Sequence, residues 1–177
     1  MEKHFNFNLS RYRELLNLEE SGKISSLDIE LLTYQASIEC QISYNQKENY
    51  FSLIEKYLSR VIGPREFRSK FSEMEKQDSR TTSLIWKDFQ ELEGFTLADD
   101  LKEFCDLTIG ISTLCFEFPE VWNDTMVPMS ESEFYSLVNN CYLQFSRNLA
   151  YESLISRSFK ILTLSIGLGI LLNFIRF

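Results

Sequence analysis

The chain has 177 residues, 44% of them hydrophobic, with six glycines and three prolines. That is ample apolar material for one core and too few chain breaks for a turn-rich β architecture, so the expected class is all-α. Its 26 acidic and 18 basic side chains leave a net charge of −8 and a pI near 4.8, which opposes binding to a phosphate backbone and excludes nucleic acid from the expected partners.

The opening MEKHFNFN is polar and has no cleavable signal pattern. It also holds the single histidine, His4. One histidine in a terminal segment leaves no Ser–His or Cys–His dyad, no histidine-rich metal site and no Glu-x-x-His pair, so neither a metal nor another cofactor is expected.

Apolar residues at three and four spacing predict helices over 9–20, 26–43 and 49–60, with Gly22 and Gly63 marking the turns. Two stretches thirty-eight residues apart, SGKISSLDI from Ser21 and SRVIGPREF from Ser59, follow matching helices. Tyr12 falls on Tyr50, Leu15 on Leu53, Leu16 on Ile54 and Ile24 on Ile62. Each copy reads as a helix, a short polar break and a newly capped helix. Ser25 with Asp28 resembles a capping box, while Gly63 precedes Pro64 at the first helical position and Glu66 at the third. The repeated unit is a helical hairpin.

A helix from Pro64 to about Lys76 is expected next, with Phe67, Phe71 and Met74 inward, broken by the polar QDSRTTS before another helix over 84–92. A long helix after Thr96 carries the stripe Leu97, Leu101, Phe104, Thr108, Ile111, Cys115 and Phe118, whose steps of four and three define a core-facing side. Gly110 weakens it slightly. After a loop containing Trp122, Ser130 can cap a last bundle helix through Phe134, Leu137, Val138, Cys141 and Phe145, with Glu133 answering it.

The negative charge is concentrated between Thr81 and Tyr135, where twelve acids face only Lys87 and Lys102. On the long helix Asp99, Glu103 and Asp106 share one side at steps of four and three, pointing away from the core stripe, with Asp100 at its edge. Such carboxylates can attract a basic partner, and Trp122 in the following acidic loop is the candidate aromatic anchor. The alternative is a divalent-cation-dependent enzyme using the same acids. Against it, the spacing lacks the alternating acids and central glycine of a calcium loop.

Cys40, Cys105, Cys115 and Cys141 form no CxxC pair. If Cys105 and Cys115 share a helix they lie roughly 15 Å apart, beyond disulfide reach, so reduced thiols acting as small hydrophobes are expected.

Residues 161–175, ILTLSIGLGILLNFI, carry no charge and lie between Lys160 and Arg176. They give roughly 22 Å of helix against a hydrocarbon core of about 30 Å, extended by Phe159 and Phe177 and by snorkelling of the flanking cations. A membrane anchor is expected there. Arg147, Arg157 and Lys160 precede it, which puts the body on the cytoplasmic or stromal side. The expected organisation is an N-terminal hairpin (1–48), a four-helix-bundle-like unit (49–149), a linker (150–157) and a C-terminal anchor (158–177).

From Tyr50 to Phe145 the words YFSLIEKYLSRVIGPREFRSKFSEM, LKEFCDLTIGISTLCFEF and MSESEFYSLVNNCYLQF resemble the self-protective immunity proteins that neutralise colicin D-like nuclease toxins. The resemblance implies a small acidic four-helix bundle that engages the basic active face of a toxin nuclease. The hairpin before Tyr50 and the apolar C-terminus depart from that family's pattern. On FNLSRYRELLNLEESGKISSLDIELLTYQASIECQISYNQ the chain is also similar to uncharacterised open reading frames of algal plastid genomes. That likeness implies a chloroplast protein with an organellar assembly partner. The function expected from all of this is a non-enzymatic, membrane-tethered binding or scaffold protein for a basic protein partner.

Overall fold

A computed structural model describes residues 6–118 and 129–148. Its described residues form six helices and no strand: α1 (Leu9–Glu20), α2 (Ile29–Asn45), α3 (Lys47–Leu58), α4 (Pro64–Ile85), α5 (Leu101–Glu117) and α6 (131–148). The all-α bundle follows directly from the apolar periodicity. No helix among the described residues is long and apolar enough to cross a membrane; the expected anchor over 161–175 lies outside them.

Local chemistry explains the boundaries. Asn8 caps α1 by accepting from the Arg11 amide at 3.1 Å. Asp28, not Ser25, caps α2, accepting from the amides of Glu30 and Leu31, so the helix begins three residues later than the capping box suggested. Pro64 stands at the start of α4 after Gly63, and Ser130 accepts from the Glu133 amide at 3.2 Å. Both match the sequence signals.

The doubled stretch is doubled in structure at its helix stop, although α2 starts at Ile29, three residues later than the counterpart of Pro64 at the start of α4. Helices α1 and α3 have twelve residues each, and their C-terminal hydrogen bonds superimpose at the same thirty-eight-residue offset. Lys23 N–H donates to Leu18 O and Gly22 N–H to Glu19 O; Val61 N–H donates to Lys56 O and Arg60 N–H to Tyr57 O. This helix stop needs a left-handed residue. Gly22 provides it at φ +68°, and Arg60 adopts it at φ +64°.

Helix α4 does not break at QDSRTTS. Asp78 points inward, 5% exposed, and accepts from the Tyr50 hydroxyl at 2.6 Å. The hydroxyls of Thr81, Thr82 and Ser83 bond back to carbonyls four residues earlier. These polar side chains are therefore satisfied within the helix and do not terminate it. The helix expected over 84–92 is instead the end of α4 followed by turns, with Leu84 exposed and Leu92 buried.

Two cores result. The larger joins α3, α4, α5 and α6 through Tyr50, Ile54, Tyr57, Phe67, Phe71, Phe104, Ile111, Phe134 and Val138. The smaller joins α1 and α2 through Tyr12, Leu15, Leu31, Tyr34 and Ile38, closed by Leu92 from the α4–α5 connection. The N-terminal hairpin packs onto the bundle, because α2 contacts both α4 and α5. Of the expected inward residues Phe67, Phe71, Leu101, Phe104, Ile111 and Phe134 are buried, whereas Leu137 is half-buried. The buried side of α5 is broader than its expected stripe. It includes Cys105 and Leu107, while Leu97 and Thr108 are half-buried.

Candidate acidic face on α5

The start of α5 is held from α2. Gln41, 8% exposed, accepts from the Ala98 amide at 2.8 Å through its side-chain oxygen. One turn later Tyr44 donates its hydroxyl to Asp100, the N-terminal flanking residue of α5, and itself receives a hydrogen bond from Lys47 Nζ. Burial and the Asp100 hydrogen bond raise the Tyr44 hydroxyl above its ordinary range, and the bond to Tyr44 raises Lys47. Asp100 is therefore engaged inside the fold and orients the helix more than it faces solvent.

The other acids lie along the outside. Asp99 is exposed just before the helix, Glu103 is half-buried, and Asp106 is exposed with a 2.9 Å salt bridge to Lys102. The anticipated anchor Trp122 lies outside the described residues. What sequence reasoning missed is how this face continues. Ile109 follows Asp106 by three residues and Phe116 lies two turns further on, 61% and 88% exposed, so two large apolar groups extend the outward side of α5 past the acids. The signal was present, since neither residue falls on the core stripe.

Among the described residues no group of three or more His, Cys, Asp or Glu side chains could hold a metal ion. Asp106 is turned to Lys102 and Asp100 to Tyr44, so the acids do not converge. Inside, Glu75 is a second unanticipated acid; burial raises its carboxyl against the opposing effect of a hydrogen bond with Ser112. The four cysteines are free, with Cys105 and Cys115 both on α5 and both buried. The Cys40 thiol meets that of Cys105 across α2 and α5 in a hydrogen bond that lowers the former and raises the latter.

The arrangement offers charge attraction with exposed apolar anchors. No family model, no curated protein and no solved structure matches the chain.

Proposed function

We propose that the chain is a non-enzymatic helical binding or scaffold protein whose α5 face engages a basic protein partner. The observation that carries this is the exposed Ile109 and Phe116, which continue the outward side of α5 beyond Asp99, Glu103 and Asp106. An acidic surface speeds encounter with a basic one, whereas a large apolar side chain desolvated in the complex slows its release. The resemblance to colicin D-like immunity proteins gives one version of the partner, a toxin nuclease. The likeness to plastid reading frames gives the other, an organellar assembly partner, and neighbouring genes separate the two.

The test is affinity capture from the native source, followed by binding kinetics with the captured protein across salt concentrations. Neutralising Asp99, Glu103 and Asp106 together slows association by roughly ten-fold at low salt and flattens its salt dependence. Phe116→Ala and Trp122→Ala instead speed dissociation. An acidic partner, or association unchanged by the triple neutralisation, overturns the proposal.

The proposal includes a C-terminal membrane tether formed by residues 161–175, supported by their lack of charge and their basic flanks. The full-length protein then stays with membranes through alkaline carbonate extraction, and the chain truncated after Arg157 is released. Release of the full-length protein removes the tether and leaves the binding face standing.

A further inference from the structure

A second acidic feature lies between α3 and α6. Glu48, Phe51, Ser52 and Glu55 on α3 and Tyr142 and Phe145 on α6 line an open cleft of about 210 Å³. The two glutamates are two helical turns apart, about 10 Å along the axis. Phe51 and Phe145 pack with ring centroids 5.3 Å apart. The Tyr142 hydroxyl donates to Glu55 Oε1 at 3.1 Å, leaving the other carboxylate oxygen as an acceptor. Among the described residues neither glutamate is in a salt bridge.

The two carboxylates repel an anion and leave a neutral apolar guest against charged walls, while the neighbouring aromatic rings add apolar surface. They suit an organic cation. An arginine side chain fits best, because its planar guanidinium can lie against an aromatic ring while its N–H groups reach a carboxylate. A lysine ammonium offers point charge without the flat face. We propose that this cleft receives an arginine side chain of the basic partner, an inference that rests on the partner being basic but is independent of the α5 face.

The experiment is calorimetric titration of the folded protein with hexa-arginine and hexa-lysine peptides at low salt. The wild type binds hexa-arginine several-fold more tightly than hexa-lysine. Glu48→Gln combined with Glu55→Gln, both at exposed positions, lowers hexa-arginine affinity about ten-fold and removes the preference. Phe51→Leu, with its melting transition monitored, keeps the apolar volume and weakens hexa-arginine about three-fold through loss of the ring face. Neutralising Asp99, Glu103 and Asp106 leaves the arginine preference intact. If the Glu48/Glu55 variant keeps both affinity and preference, or loses affinity with its preference unchanged, the cleft is not the site, while the basic-partner reading survives. Failure of the wild type to bind either peptide overturns the cleft proposal, while the α5 reading is decided by the captured partner.

Discussion

Gly22 and Arg60 occupy one backbone position in two copies of the same helix stop, and they show how a side chain trades against conformation. Nothing lies within 4 Å of a Cβ built on Gly22, so Gly22→Ala meets only the cost of the left-handed backbone. A loss of about 1 kcal/mol by chemical denaturation is expected. Arg60 already bears that cost, but its guanidinium sits 3.8 Å from the centre of the Tyr135 ring. Arg60→Gly therefore relieves the backbone while giving up the ring contact, and its net effect should be smaller in size than that of Gly22→Ala. Deeper in the fold Phe104 is 1% exposed and meets Tyr44, Tyr50 and Phe51 edge-on. Phe104→Ala should cost about 3–5 kcal/mol in the same measurement; an unchanged melting transition would contradict its place in the core. Among the thiols, Cys40 is half-buried and its pKa lowered by Cys105, whereas burial pushes Cys115 up to about 12. Mass spectrometry after brief alkylation at neutral pH should find Cys40 modified before Cys105 and Cys115, since the thiolate is the reactive form.

Individual elements were legible where their signals are local. The limits of α1, the Pro64 start of α4 and the Ser130 cap of α6 each depend on residues within a turn of one another. The misread start of α2 was a choice between two nearby caps, Ser25 and Asp28, whereas the misread break in α4 depends on a partner far along the chain. Asp78 looked like part of a helix break until Tyr50, twenty-eight residues earlier, supplied its hydrogen-bond donor. The junction of α2 and α3 at Gln46 falls in the gap that the apolar pattern left between 43 and 49, although neither glycine nor proline marks it. The candidate acidic side was legible as spacing, but the sequence could not show that Tyr44 engages Asp100 or that Phe116 stays exposed. Those outcomes are decided by which helix packs where. Glu75 on α4 offers a test of that packing. Its carboxyl titrates higher in the fold than in the unfolded chain because burial penalises its charge. The associated stability is whole below the unfolded value of about 4.3 and is lost as pH rises through the higher folded value. Glu75→Gln should thus raise the melting temperature at neutral pH, and its advantage should shrink on acidification. A constant difference across that range would show that Glu75 is not desolvated.

Over the whole molecule, buried tyrosines set an alkaline limit. Burial pushes Tyr12 in the smaller core and Tyr57 in the larger up to about 12, and raises Tyr50 as well. A phenol in the unfolded chain ionises near 10, so the neutral rings stabilise the fold fully below that pH and cease to do so as pH climbs through 12. The urea midpoint should fall over that interval, with phenolate absorbance rising together with unfolding. Independent titration of Tyr12 and Tyr57 in a folded chain would refute their burial. The two cores are also joined in a way that gives the added hairpin a task. Tyr12 donates to the carbonyl of Trp86, Gln41 receives the Ala98 amide, Tyr44 reaches Asp100, and Leu92 is buried against the hairpin. The connection from α4 to α5 is thus clamped at entry, middle and exit by the hairpin. In a workshop this would be a jig: a fixture that leaves the tool's edge untouched and decides the angle at which it meets the work.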